Sequence, residues 1–106
     1  LTNAPLLFIT EMNVDLGNIK FRQSSTKEIV FTNSGKSVLE IRNIQGNCSC
    51  LVAVVDKENL KPGESGTIKI TFTPEDRKGI QTKAVTVYSN DPQNPVQRIM
   101  VGALAE

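Results

Sequence analysis

Histidine and tryptophan are both absent from the 106 residues. Without histidine the chain lacks the commonest general base near neutral pH and the commonest metal ligand. With no tryptophan, four Phe and one Tyr, it has little from which to build a stacking platform for sugars or unpaired bases. Charge of one sign is missing too: 12 Lys+Arg against 11 Asp+Glu leave a net charge of +1. No global field therefore draws in nucleic acid or an anionic membrane. The basic residues are dispersed without interleaved aromatics, and there is no Gly-rich phosphate cradle. No apolar run approaches roughly 18 residues, so this segment is not expected to insert in a membrane. Cysteine is scarce. Cys48 and Cys50, with a single residue between them, cannot staple a long loop, so the chain is no disulfide-framework mini-protein.

What is present is ordinary globular material, 39% hydrophobic and 22% charged, at a length that fits one domain over residues 1–106. A chain of this size buries roughly two-thirds of its unfolded surface, which gives a real but thin core. Leu1 is not an initiator methionine, so the reading is a processed chain or a piece of a longer one, with any signal peptide already gone.

Apolar residues recur with period two in short runs, and Gly, Pro, Asn and Asp punctuate the gaps. In Gly66–Thr73, Ile68, Ile70 and Phe72 share one face while Lys69, Thr71 and Thr73 share the other, the pattern of a half-buried strand. Lys83–Tyr88 turns Val85 and Val87 inward, Lys27–Thr32 pairs Ile29 with Phe31, and Val38–Arg42 pairs Leu39 with Ile41. These nine residues are the expected core. Weaker strands fall at 6–10, 14–16, 51–55 and 96–101. Val96–Val101 leaves its inward face open between Ile99/Val101 and Val96/Met100. The nearly all-apolar Leu51–Val55 reads as a strand covered on both sides or a buried edge.

Lys61-Pro62-Gly63-Glu64 meets the needs of a type II turn, and Asn33-Ser34-Gly35-Lys36 supplies turn formers between two strands. Both Gly35 and Gly63 are expected at positive φ. Glu75–Gly79 reads as a charged hairpin connection and Asn90–Pro95 as a longer polar loop. Ser25-Thr26-Lys27-Glu28 mimics a helix capping box, but strand periodicity follows it. No window carries a helical stripe, so no substantial helix is expected. Seven or eight short strands at this spacing read as two packed antiparallel sheets.

An ordered series of motifs adds to this reading: Val14-Asp15-Leu16-Gly17, Phe31-Thr32-Asn33-Ser34-Gly35 through Leu39-Glu40-Ile41, Cys48-Ser49-Cys50, Pro62-Gly63, Phe72-Thr73-Pro74 and Tyr88-Ser89-Asn90-Asp91-Pro92. Over about residues 13–102 it resembles an uncharacterised family of secreted or periplasmic bacterial immunoglobulin-like domains, common in Bacteroidetes and related to hydin-type and major-sperm-protein-like domains. This chain departs from the family pattern in carrying Val14 and Leu16 where the first strand is Phe-rich, and C-S-C where the family has C-G-C. The resemblance implies an all-β, immunoglobulin-like antiparallel sandwich and an address in the periplasm, the cell envelope or the secreted space. It implies no activity, since fold alone does not fix function.

The one constellation with chemical potential is Cys48-Ser49-Cys50. On a straight strand, residues i and i+2 face the same way at a Cα separation of about 6.4–6.8 Å, near the upper limit for a disulfide. The expectation is therefore two unreactive reduced thiols, at least one buried, or a strained and easily reduced bond. A thiol–disulfide couple, a two-thiolate Cu(I) site and cofactor attachment stand as alternatives to simple packing. Zinc would need two further ligands from carboxylates alone. Asp56 with Glu58, and Glu75 with Asp76, read as solvated turn charges rather than a catalytic pair, and the Asn90-Asp91 loop has too few anionic ligands for calcium. Asn47-Cys48-Ser49 formally matches a glycosylation triplet. No catalytic, cofactor or metal residue and no cofactor is assigned.

The functional expectation is a non-enzymatic cell-envelope interaction or scaffolding module whose partner is another protein, met through an edge strand, with no nucleic acid involved. The alternatives are a small thiol-redox or Cu(I)-handling protein using Cys48 and Cys50, and a spacer domain within a longer envelope protein. Oligomeric state is left open.

Overall fold

Alternating side chains give two sheets that hide one face each. The computed structural model describes residues 3–74 and 78–106. β1 (Leu7–Ile9), β3 (Ser25–Asn33), β7 (Ser65–Phe72) and β5 (Leu51–Val55) form one sheet in that order. β2 (Asn13–Ile19), β9 (Val96–Ala105), β8 (Gly79–Ser89), β4 (Leu39–Gly46) and β6 (Asn59–Leu60) form the other. The described residues contain no helix. The sandwich is as expected, with differences in detail. The described residues form nine strands rather than seven or eight, because β6 has only two residues and is too short to carry a period. One pair, β2 with β9, is parallel (Asn13 opposite Met100, Ile19 opposite Ala105), whereas the other pairs are antiparallel. The chain leaves β3's side after Ile9, crosses to the second sheet and settles beside β9, and an apolar pattern does not encode strand direction. The 74–79 connection is not a hairpin, since β7 and β8 belong to different sheets. Glu75, Asp76 and Arg77 of that connection lie outside the described residues.

All nine expected core residues are buried: Ile29, Phe31, Ile68, Ile70 and Phe72 from one sheet meet Leu39, Ile41, Val85 and Val87 from the other. In β9, Ile99 and Val101 point inward while Val96 and Met100 are exposed. β5 departs from expectation: Leu51 is buried, but Val52 and Val54 face solvent because nothing covers the outer face of this sheet, where Val30 of the interior strand β3 is exposed too.

At one end of the sandwich two buried polar side chains satisfy backbone that the crossing loops leave unpaired. The Asn33 amide donates to Ser37 O (2.7 Å) and Leu60 O (3.0 Å), and its Oδ1 accepts the Gly35 and Leu6 N–H groups (2.9 and 3.3 Å). Asp91 accepts the Leu7 N–H on Oδ2 (3.0 Å) and the Gln93 and Asn94 N–H groups on Oδ1 (2.9 and 3.2 Å). Gly63 has the expected positive φ, +84°, and the Glu64 N–H donates to Lys61 O (2.9 Å) to close the type II turn. Gly35 does not have a positive φ. It is needed for space instead: a Cβ there would lie 2.5 Å from Leu6 N and 2.8 Å from the Pro5 carbonyl carbon.

Two outcomes follow for stability. Phe72→Ala removes a fully buried ring and costs about 3–5 kcal/mol in denaturant unfolding, a large share of a marginal total. Gly35→Ala, which overpacks a fixed backbone, costs about 2–3 kcal/mol, whereas Gly63→Ala, which meets only its own φ, costs about 1 kcal/mol. Equal losses at the two glycines in the same unfolding measurement contradict the crowding at Gly35.

Candidate functional site

Residues 47–50 are the corner where the chain passes from β4 in one sheet to β5 in the other. Both sheets hold it. The Asn47 N–H donates to Ala84 O (3.0 Å) and the Ala84 N–H returns to Asn47 Oδ1 (3.2 Å), which ties the corner to β8. The Thr73 N–H donates to Cys50 O (2.9 Å), which ties it to the end of β7, and the Leu51 N–H donates to Cys48 O (3.3 Å) across the bend.

This bend changes the expectation for the two cysteines. Cys48 and Cys50 are joined in a disulfide with their Cα atoms 5.2 Å apart, not reduced. The straight-strand separation does not apply, because the anchors on Ala84 and Thr73 fold the segment into a turn. Ser49 lies exposed on the outside of the bend. Neither cysteine is fully buried; both are half-buried against the edge of the core.

The other candidates have local duties. Asp56 Oδ1 accepts the Thr67 N–H (2.7 Å) just past β5, and Glu58 is exposed. Asn90 Oδ1 accepts the Glu40 N–H (2.8 Å), and both oxygens of Asp91 are engaged by backbone, so this loop's polar groups hold the fold. Asn47 of the formal glycosylation triplet is the anchor on Ala84. Among the described residues no three His, Cys, Asp or Glu side chains converge, and no helix is long and apolar enough to cross a membrane.

The sandwich also presents apolar groups outward, which the sequence reading did not anticipate. Val52 is 55% and Val54 52% exposed on the first sheet, and Ile80 is 78% exposed on the second. Ile80 and Leu104 border a shallow depression of about 360 Å³ over Gly102, with Asp15, Asn18 and Thr82 on its rim. A smaller hollow of about 180 Å³ opens between β4 and β5, lined by Ile41, Ile44, Val55 and Glu58. The only local hint was the unbroken apolar run of β5. Whether such a run is covered on one face or two depends on strands elsewhere in the chain.

A family model described as "Protein of unknown function (DUF1573)" matches residues 7–104. The chain belongs to that family. Among solved structures, this DUF1573 domain is similar to a protein of unknown function from Porphyromonas gingivalis W83 (25% identity, TM-score 0.86). The match covers 98% of this chain and 49% of that one, so the domain spans about half the length of the Porphyromonas protein. The ASH / PapD-like domain 7 of human CEP192 has the same fold at 10% identity (TM-score 0.76), covering 97% of this chain and 87% of the other. A Bacteroides ovatus GH5 xyloglucanase contains a similar fold at 16% identity (TM-score 0.62), over 95% of this chain and 19% of the enzyme. No curated protein matches the chain.

The disulfide closes a loop of three residues, so its effect on the unfolded chain is small, about 1.5 kcal/mol on the chain-entropy relation. Reduction, or Cys48→Ser with Cys50→Ser, is expected to leave a cooperatively folding DUF1573 domain with its melting temperature lowered by about 6–12 °C. Loss of the cooperative transition in thermal circular dichroism contradicts this.

Proposed function

We propose that residues 1–106 act as one non-catalytic domain that docks or scaffolds another protein in the bacterial cell envelope. The observation that carries this reading is the outward placement of Val52 beside Val54 on one sheet and of Ile80 beside its cross-strand partner Leu104 on the other, since adjoining exposed apolar groups, unlike singly scattered ones, favour contact with a partner. An address in the periplasm, the envelope or the secreted space is supported by the Cys48–Cys50 bond, which persists in oxidising compartments. The Porphyromonas relative, twice as long, supports a role as one module of a larger protein. The partner enters through an edge strand, a contact mode open to sandwich domains.

The disulfide itself supports a second reading, a thiol–disulfide couple at Cys48 and Cys50. Half-burial leaves the bond in reach of an attacking thiolate, and the two thiolates that a soft ion such as Cu(I) would need exist only after reduction.

One experiment separates the two. A photo-crosslinking residue is placed at position 54 or 80 in the native cells, in wild type and in Cys48→Ser/Cys50→Ser. An adduct formed equally in both supports the docking module. An adduct that needs the cysteines, with a mixed disulfide trapped by Cys50→Ser alone, supports thiol exchange. Absence of adducts from both positions contradicts docking through these faces.

A further inference from the structure

We infer that β5 is a strand-addition site, and that its occupant is an extended segment of a different polypeptide. This rests on the docking reading above and names the edge and the chemistry of the partner.

The backbone groups of β5 divide between its two edges. Cys50 O accepts from Thr73, and the Asp56 N–H donates to Thr67 O (3.2 Å), so even-numbered residues of this strand turn their amides toward β7. Alternation then turns the amides of Leu51, Ala53 and Val55 the other way. Leu51 is already occupied: its N–H donates to Cys48 O, and a Cβ on Gly46 would lie 3.0 Å from its carbonyl carbon, so β4 closes that end. Ala53 and Val55 keep an N–H and a C=O each, with no partner among the described residues. Four groups in this repeat match the backbone of another extended chain and no small ligand.

The remaining edges are shorter, irregular or partly capped by side chains, and on the three-residue β1 only Ile9 turns outward groups with no partner among the described residues. On β1, the outward Leu7 N–H donates to Asp91, and its carbonyl accepts the Gln97 side-chain amide (3.1 Å). β2 carries a register shift between Asp15 and Asn18, with Gly17 at φ +71° donating its N–H to Asp15 Oδ1 (2.8 Å). β6 is two residues long, too short to template a further strand. The stretch of β4 beyond β6 is irregular between Ile41 and Asn43, and Asn43 Oδ1 accepts the Ile44 N–H (2.9 Å). Bulges, side-chain caps and short length are the usual protections of a sheet edge. β5 has none of them: it is regular, uncharged and free of proline.

A second copy of this chain fits the edge poorly. Antiparallel self-pairing centred on Ala53 needs Leu51 opposite Val55, and Leu51 is blocked. Centring on Val54 frees Leu51 but sets the Asp56 carboxylate opposite the partner's Val52, an apolar cross-strand position. A foreign strand is not bound by either register. Its outward residues would cover Val52 and Val54, and its inward residues would meet Val55 and Ile44 at the mouth of the hollow between β4 and β5. Apolar or β-branched side chains suit both rows, so the partner is an extended, Val/Thr-rich peptide.

The test uses a blocked heptapeptide, Lys-Val-Thr-Val-Thr-Val-Lys, titrated onto the intact protein and followed by amide NMR and hydrogen exchange. The expected result is a saturable shift centred on β5, with slower exchange at Ala53 and Val55. Ala53→Pro, which removes only an outward N–H, and Val54→Lys, which folds with a charge on the edge, each weaken binding by about tenfold or more. A peptide with its pairing amides N-methylated does not bind. Absence of a shift at millimolar peptide, shifts at another edge, or full protection of Ala53 and Val55 before any peptide is added overturns the inference. So does sedimentation of a dimer that Ala53→Pro dissociates. Failure here leaves the docking reading standing if crosslinking at position 54 or 80 still gives adducts in Ala53→Pro. Loss of adducts from unmodified protein overturns that reading separately.

Discussion

Two rows of apolar side chains must be hidden from water at once, and each sheet can bury its row only against the other. The hydrophobic gain is spread over Phe31, Phe72 and the branched residues around them, and it holds only while the sheets stay in register. The expensive places are those where the chain passes between sheets, because backbone amides there leave one ladder before joining the next. The protein meets that requirement with a few fixed polar groups. Asn33 and Asp91 serve one end, and the hydrogen-bonded corner at 47–50 serves the other. Their burial costs nothing net only because their oxygens and amides are engaged.

The core was legible because period two is a local signal: Ile68, Ile70 and Phe72 announce their face within eight residues. The type II turn at 61–64 was legible for the same reason. What the sequence hid was long-range. Gly35 is crowded by Ala4, Pro5 and Leu6, about thirty positions away, so its local turn signal suggested the wrong cause. Asp91 sits in a polar loop and looks solvated until Leu7 arrives at its carboxylate. The C-S-C geometry turned on anchors at Ala84 and Thr73, which convert an extended tripeptide into a bend. The outward valines of β5 depended on whether anything packs over that face of the sheet, and no short stretch of sequence states that.

The corner and the edge are neighbours by construction. Cys48 and Cys50 fix the bend from which β5 departs, so the direction of that strand is set within three residues of its first hydrogen bond to β7. A cross-link over so short a loop restricts the unfolded chain less than one closing a long loop. Its structural effect is orientation: it limits how far β4 and β5 can splay around the hollow between them.

The parallel alignment of β2 with β9 has a mechanical consequence. Residues 4–6 lie against the 33–36 loop at one end of a body 47 Å long, while Glu106 ends at the other, its carbonyl accepting from Phe21. Tension transmitted along the polypeptide therefore pulls these two strands past each other along their length. Every rung between them resists together, instead of opening one at a time as in a peeled hairpin.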